Sequence, residues 1–261
     1  MRRLTARKDG HIFNGVLMKG IVVLSGGLDS STLLHYVKEK LGYDEIYAIT
    51  FDYSQKHSIE ISCARWQAKR AGVKEHKILN ISFLGEITKD VSALTSTTIK
   101  VPKITEVLGD PQPITYVPYR NLILLSICLA YAESVGADSV FYGAQKHDTY
   151  SGYWDASPEF LEAINRVSML NRRHNIQIKA EFVNLSKGDV IKIGQELGVN
   201  YKYTWSCYNP IPINDEHGIP LLVAQCGECP TCSDRLKAFI DASIPDPQEY
   251  AKNINWNDLL K

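Results

Sequence analysis

The sequence lacks the features of a membrane protein and of a protein that binds nucleic acid directly. No apolar segment approaches the roughly 20 residues that a membrane-spanning helix needs, and the basic first residues precede too short an apolar stretch for a secretory signal. The charges of the 29 basic and 29 acidic residues cancel, so no overall positive field favours nucleic acid. A local basic patch is still compatible with this composition. These absences predict a cytoplasmic protein that contacts neither membrane nor nucleic acid.

Cysteine is also scarce, with six residues in the chain, and in a reducing compartment metal binding is favoured over disulfides. Three of the six cysteines form two overlapping C-x-x-C units, and a fourth lies some twenty residues before them. They are Cys207 in WSCYNP and Cys226, Cys229 and Cys232 in QCGECPTCSDR. This set suits a closed structural Zn²⁺ site, with an iron–sulfur cluster or loose reduced thiols as alternatives. Cys63 and Cys128 fall in apolar helical patterns and are predicted to be inert core thiols.

Short apolar runs that alternate with longer amphipathic segments dominate the rest of the chain. Hydrophobic residues make up 44% of the 261 residues, enough for the core of one large α/β domain. The predicted strands are 20–24, 45–53, 75–81, 138–144 and 176–182, and the predicted helices are 30–42, 57–72, 120–136, 158–170 and 187–198. This alternation predicts a doubly wound, mainly parallel sheet with ligands at the carboxyl ends of its strands. Residues 83–117 lack periodicity and are predicted to be a long loop.

The stretch GIVVLSGGLDSSTLLHYV, residues 20–37, joins a buried strand to a helix through a glycine turn. Gly26 and Gly27 let the backbone approach a ligand closely, and the helix N-terminus favours an anion. The turn is not a Walker loop, because the lysine after its second glycine is missing. Asp29 would repel an anion on its own, so it is predicted to hold Mg²⁺ or to orient the loop. The alternative is a tight turn whose polar residues only cap the helix.

The motif SGGLDSS resembles the signature of the PP-loop ATP pyrophosphatases, which transfer AMP to an oxygen and release pyrophosphate. The resemblance implies the adenine-nucleotide hydrolase-like fold and an ATP site. The ATP-binding residues it implies are Ser25, Gly26, Gly27, Leu28, Asp29, Ser30 and Ser31, with Phe51 and Asp52 at the end of the second strand. The motif specifies the ATP chemistry well and the acceptor poorly.

Further motifs resemble one branch of these enzymes, the 7-cyano-7-deazaguanine synthases of the queuosine pathway. TFDYSQKHSIE (50–60) resembles TFDYGQRH, and YVPYRN (116–121) resembles FVPGRN with Tyr119 in place of glycine. GAQKHDTYSGYWDASPEF (143–160) resembles the loop D-x-S-G-Y-P-D-C-R, from which Trp154, Ala156 and Ser157 depart. LSKGDVIKIG (185–194), TWSCY (204–208) and the cysteine cluster match closely, so the resemblance covers roughly 20–240.

The resemblance implies that ATP adenylates the carboxylate of 7-carboxy-7-deazaguanine, that ammonia converts the adenylate to an amide, and that a second ATP yields the nitrile. The predicted catalytic residues are Asp29, Arg120 and Lys187. Arg120 can make bidentate hydrogen bonds to a phosphate or carboxylate, and Lys187 can bind an anion as a point charge. Asp29 would help to hold Mg²⁺. The predicted substrate-binding residues are Tyr53, His57, Asp148, Tyr153 and Asp155. An aspartate there can pair with the N–H edge of a guanine-like base.

The chain is accordingly divided into an N-terminal extension (1–19), a PP-loop domain (20–200) and a zinc-binding lobe with a C-terminal tail (201–261). The branch implies a homodimer. The departures leave one alternative open: a diverged paralogue that stops at the amide or joins the deazaguanine acid to an amine on a protein acceptor. A tRNA-thiolating PP-loop enzyme and a non-catalytic zinc adaptor are further alternatives, which the neutral charge and the intact phosphate loop respectively disfavour.

Overall fold

The computed structural model describes residues 17–55, 59–110, 112–145, 153–214 and 220–259. Most of the predicted N-terminal extension lies outside these ranges, as do two predicted substrate contacts, His57 and Asp148. Among the helices that the structure describes, none combines the length and the apolar character needed to cross a bilayer.

Five parallel strands form the central sheet, in the order β3-β2-β1-β4-β5. Their bounds are β1 Lys19–Val23, β2 Glu45–Asp52, β3 Glu75–Asn80, β4 Ser139–Phe141 and β5 Gln177–Lys179. Side chains along β1 alternate between the two faces, so Ile21 belongs to one hydrophobic core and Val22 to the other. The predicted doubly wound α/β fold is confirmed. Strand order reverses direction between β1 and β4, and this switch point is where such sheets bind ligands.

Helices cover both faces of the sheet. The helices of the described ranges are α1 Leu28–Glu39, α2 Ile59–Ala71, α3 Ser82–Thr88, α4 Ile104–Val107, α5 Arg120–Val135, α6 Pro158–Ser168, α7 Lys187–Glu196, α8 Pro230–Asp241 and α9 Trp256–Leu259. The first core packs α3, α5 and α6 against the sheet, and the second packs α1, α2, α7 and α8. The chain thus winds around both sides of the strands, which leaves their carboxyl ends accessible.

The prediction that 83–117 is one long loop is wrong in part, because the segment contains most of α3 and all of α4. Leu84 is fully buried and the Thr88 hydroxyl donates to its carbonyl oxygen. A helix of seven residues shows too few apolar positions for its period to be recognised in sequence.

The C-terminal residues add a two-stranded antiparallel hairpin, β6 Ile211–Asn214 and β7 Pro220–Ala224, which does not join the central sheet. Helix α8 packs on α7, and its Ala238 and Phe239 lie in the second core of the main domain. The segment that carries the cysteine cluster is therefore seated directly on the α/β layer, while the division of the chain at residue 200 stays a prediction.

A buried ion pair fixes this C-terminal segment. Arg235 and Asp246 make two hydrogen bonds, of 2.6 and 2.9 Å, and Tyr250 donates to the same carboxylate at 2.6 Å. Arg235 also donates to the Thr204 hydroxyl at 2.9 Å. Because every partner is satisfied, the charges are tolerated in the interior. The pair holds the segment around Thr204, which runs along the cavity described next.

Candidate active site

A cavity of about 330 Å³ opens at the carboxyl ends of β1, β2 and β4. Val23, Phe51 and Tyr142 line it from the ends of these three strands. The position coincides with the switch point of the sheet, as the fold predicts. Most of the residues predicted from sequence come together here. Those that line the cavity are Ser25, Gly27, Leu28, Asp29, Ser30, Phe51, Tyr53, Arg120, Tyr153 and Lys187.

The glycine turn after β1 is held by its own hydroxyl groups. The Ser30 hydroxyl accepts a hydrogen bond from the backbone of Ser25 at 3.2 Å, and the Ser25 hydroxyl accepts one from Gly27 at 3.2 Å. Gly26 has φ +88°, and a Cβ there would lie 2.0 Å from the Glu60 carbonyl oxygen, so only glycine fits. Helix α1 begins at Leu28 without a side-chain cap, which leaves its first N–H groups directed at the cavity.

Asp29 and Lys187 place opposite charges beside this turn. The Lys187 ammonium lies 3.3 Å from Asp234, a cavity residue that sequence reasoning did not single out. Burial acts to lower the pKa of Lys187, but Asp29 and Asp234 outweigh it and raise the pKa above its ordinary value. Lys187 is therefore a permanent cation. Asp29 Oδ1 is buried and has no hydrogen-bond partner in the part of the chain that the structure describes.

Arg120 enters the cavity from the first residue of α5. Burial acts to lower the pKa of the guanidinium, and the neighbouring Tyr53, Tyr208 and Asp155 raise it above its ordinary value. Asp155 is itself buried, and its carboxylate accepts a hydrogen bond from the Asn121 backbone at 3.3 Å. It thus sits at the N-terminus of α5, behind Arg120, where a carboxylate stabilises the helix start. Its predicted contact with substrate stays a prediction.

The other predicted residues stand behind the cavity wall. Gly26 and Ser31 are buried in the turn and in the first turns of α1. The Asp52 carboxylate accepts a hydrogen bond from the Ser54 backbone at 3.1 Å, just after β2. These residues shape the site, and their direct contact with a nucleotide stays a prediction.

Glu60 is a cavity residue that sequence reasoning missed, although it ends the motif TFDYSQKHSIE. Its carboxylate accepts a hydrogen bond from Gln55 at 2.8 Å and faces Tyr53, Asp52, Arg120 and Tyr208. Burial raises the pKa of Glu60 to about 7, although the Gln55 hydrogen bond and Arg120 oppose the rise. Glu60 could have been recognised as an acidic residue in the first turn of a helix that starts beside the glycine turn.

The raised pKa of Glu60 predicts a pH-dependent stability. Because the folded state holds this proton more tightly than the unfolded state, the free energy of unfolding falls as pH rises from 4.5 to about 7. The isosteric variant Glu60→Gln keeps the hydrogen bond from Gln55 and removes the titration. Thermal melts across this range are expected to show a flatter pH profile for Glu60→Gln, with the variant more stable than the unmodified protein above pH of about 7. The control variant Glu159→Gln, at an exposed position, should leave the dependence of melting temperature on pH unchanged. Parallel pH profiles for Glu60→Gln and the unmodified protein would contradict the raised pKa of Glu60.

Two departures from the branch motifs contact each other. Tyr119 has φ +53°, a left-handed conformation that the glycine of the motif FVPGRN would adopt without strain. Its ring packs edge-on against Trp154 at a centroid distance of 5.4 Å. The Trp154 indole donates to the Tyr116 hydroxyl at 2.9 Å, and Tyr116 stacks on Tyr153. The two departures thus belong to one aromatic cluster, which reaches the cavity through Tyr153.

The four predicted metal ligands converge. The Sγ atoms of Cys207, Cys226, Cys229 and Cys232 all lie within 4.8 Å of one another, and all four residues are buried. The Sγ atoms of Cys226 and Cys232 are 3.8 Å apart. A tetrahedral ion with Zn–S bonds of about 2.3 Å requires S···S distances of about 3.8 Å, so the cluster fits Zn²⁺. Gly227, with φ +77°, forms the turn of the knuckle, and the Cys229 backbone donates to Cys226 Sγ at 3.3 Å.

Known proteins resemble this chain to different degrees. The family model of the queuosine biosynthesis protein QueC matches residues 19–243. The 7-cyano-7-deazaguanine synthase of Acaryochloris marina is 41% identical over 242 residues, covering 90% of this chain and 100% of that protein. The enzyme of the same name from Thermoplasma acidophilum is 44% identical over 239 residues, covering 90% and 92%. Among solved structures, the U34-tRNA thiolase NcsA of Methanococcus maripaludis aligns with a TM-score of 0.45 and 15% identity, over 74% of this chain and 61% of that one.

Proposed function

Because the chain belongs to the QueC family of queuosine biosynthesis proteins, we propose that it is an ATP-dependent ligase that converts 7-carboxy-7-deazaguanine and ammonia to 7-cyano-7-deazaguanine. The chain spans nearly the full length of relatives that carry the name of this synthase. One structural observation supports the proposal most directly: the glycine turn, Lys187 and Arg120 line a single cavity at the switch point of the sheet.

In the first half of the reaction, the turn after β1 binds the phosphates of ATP. Backbone N–H groups at the start of α1 and the hydroxyls of Ser25 and Ser30 supply donors. An oxygen of the substrate carboxylate attacks the α-phosphorus, and pyrophosphate leaves. Lys187 and Arg120 offset the negative charge that develops on the phosphorus and on the leaving group. The protein contributes position and electrostatics, and no side chain needs to act as a nucleophile.

Asp29 is the residue proposed to hold Mg²⁺. A buried carboxylate oxygen without a hydrogen-bond partner matches the preference of this hard cation for oxygen ligands. The ion, when bound, would neutralise phosphate charge during transfer. Without the metal ion, the unpaired Oδ1 beside a phosphate site would be costly, which is the physical reason for the assignment.

The four cysteines are proposed to hold a structural Zn²⁺. All four thiols are buried, so no coordination position faces the cavity for a substrate. The site fixes Cys207, whose neighbours Ser206 and Tyr208 line the cavity. This arrangement disfavours the use of these cysteines in sulfur transfer to tRNA.

In the second half of the reaction, ammonia displaces AMP from the acyl adenylate and yields the amide. The amide oxygen then attacks the α-phosphorus of a second ATP, pyrophosphate leaves, and the nitrogen loses a proton. Loss of AMP and of the second proton gives the nitrile. We place this chemistry in the cytoplasm, with free ammonia as nitrogen donor and a homodimer as the working form.

The proposal is tested with the purified protein, 7-carboxy-7-deazaguanine, ATP, Mg²⁺ and ammonium, by following the masses of small molecules and of the protein. The expected result is the nitrile, with two AMP released for each molecule formed. Accumulation of the amide alone, or added mass on a protein, would replace the proposal with a diverged paralogue. Sulfur transfer to tRNA would indicate a thiolase, and absence of ATP turnover a non-catalytic adaptor.

A further inference from the structure

Two neutral polar side chains in the cavity are buried without hydrogen-bond partners. Gln145 is 4% exposed, and both its Oε1 and its Nε2 lack a partner among the described residues. Tyr142 is 6% exposed, and its hydroxyl likewise lacks a partner in the described ranges. Buried polar groups are almost always hydrogen-bonded, because each unsatisfied group carries a desolvation cost. Unsatisfied groups in a ligand cavity therefore indicate contacts that a ligand completes.

Both residues lie on the segment that follows β4 and line the same cavity as the glycine turn. Between them, Gly143 runs against the start of α1, where a Cβ would lie 3.3 Å from the Ser30 backbone nitrogen and 3.4 Å from Asp29 Cβ. The unsatisfied groups therefore stand beside the start of α1, to which the proposed function assigns the phosphates of ATP.

The chemistry of the two side chains differs from that of the other polar groups here. Lys187 and Arg120 are cations, suited to phosphates and to a carboxylate. Gln145 offers a donor and an acceptor together, and burial raises the pKa of Tyr142, so its hydroxyl stays neutral and can also do both.

The groups at the reacting carbon change in hydrogen-bond character along the proposed reaction. The carboxylate of the substrate only accepts hydrogen bonds, and the nitrile of the product only accepts them. The primary amide formed between the two adenylations has both N–H donors and a carbonyl acceptor. It is the species that a carboxamide and a hydroxyl match best.

We propose that Gln145 and Tyr142 bind the carboxamide intermediate and retain it in the cavity until its oxygen is adenylated. The inference rests on the proposed function and adds the residues that decide whether the amide is released or converted. Gln145 accepts from the amide N–H through Oε1, and one of the two side chains donates to the carbonyl oxygen. That oxygen keeps its second lone pair for attack on phosphorus.

The test compares Gln145→Met, which keeps length and apolar volume, with the unmodified protein. In the assay with acid, ATP, Mg²⁺ and ammonium, the ratio of released amide to nitrile is expected to rise about ten-fold, the effect of losing a hydrogen bond to a buried group. The first-turnover burst of pyrophosphate should change by less than about three-fold, since the first adenylation does not need the lost contact. Calorimetric titration with the synthetic amide should show a dissociation constant raised by about ten-fold.

Matched controls separate binding from folding. Tyr142→Phe is expected to shift the same ratio, whereas Tyr131→Phe, which removes a surface hydroxyl bonded to Glu75, and the exposed Gln195→Met leave it unchanged. Removing an unsatisfied buried group should leave the melting temperature unchanged or raise it. A clear fall in melting temperature for Gln145→Met would mean a structural role and overturn the inference.

The failure of the inference differs from that of the proposed function. Suppose that the unmodified protein makes the nitrile, and that Gln145→Met and Tyr142→Phe keep its product ratio and its affinity for the amide. The two side chains then contact only water in the cavity, and the inference is wrong. If the unmodified protein makes neither amide nor nitrile, the proposed function fails and the inference fails with it.

Discussion

Replacing Lys187 by methionine is expected to lower kcat for AMP formation by about 10²–10³, the usual loss when one preorganised charge at a transition state is removed. The ammonium lies 3.3 Å from Asp234, and the carboxylates of Asp29 and Asp234 raise its pKa and keep it charged. During adenylation, negative charge grows on the phosphorus and on pyrophosphate, and a half-buried cation offsets it far more strongly than an exposed one would. The variant removes this charge and keeps the packing of the aliphatic chain.

The measurement is the rate of AMP release at saturating ATP and substrate, with KM for ATP determined separately. A fall in kcat with a small change in KM locates the effect in the transition state rather than in ground-state binding. Lys192→Met, on the exposed side of the same helix α7, is the matched control and should retain activity. If kcat for Lys187→Met stays within about three-fold of the unmodified protein while the fold is intact, Lys187 has no such role.

Local patterns explain which parts of this molecule could be predicted from sequence. The run GIVVL, the glycines after it and the cysteine spacing each encode their structure within a few residues. Sequence therefore predicts the turn, the cluster of four cysteines and β1, the strand to within one residue at each end. Helix α1 nevertheless begins at Leu28 rather than residue 30, which brings Asp29 into the first turn. Propensities define the ends of helices poorly, because a capping position depends on the hydrogen bonds that the finished structure offers.

The parts that sequence reasoning missed depend on contacts between distant segments. Glu60 becomes a cavity residue only because its helix packs against Gly26, and Gln145 because β4 lies next to β1. The local sequence around either position does not indicate these contacts. For Asp155 the motif predicts a substrate contact, which stays a prediction, and only the folded chain shows that its carboxylate accepts a hydrogen bond at the start of α5. Such a group can position Arg120 without touching a ligand.

Replacing Cys229 by serine is expected to abolish stoichiometric zinc binding and to destabilise the protein by more than about 4 kcal/mol, a loss typical of a structural metal site. Its thiol is 2% exposed and lies within ligand distance of three other cysteines. Once the ion is lost, these buried polar thiols have no common partner. For a chain of this size the loss corresponds to a fall in melting temperature of roughly 10 °C or more. Metal content by mass spectrometry and thermal melts provide the measurements.

Activity should fall together with stability, because the four-cysteine cluster supports the cavity wall. Cys207 lies between the cavity residues Ser206 and Tyr208. The Trp205 backbone also donates to the Gly26 carbonyl oxygen at 2.9 Å, so disorder in the cluster would extend to the glycine turn. Cys128→Ala is the matched control: this buried cysteine belongs to the first core, outside the four-cysteine cluster, and its loss should leave zinc content unchanged. Iron in place of zinc in protein purified without oxygen would contradict the zinc assignment. A metal content that is the same in Cys229→Ser and in the unmodified protein would show that the ion binds elsewhere.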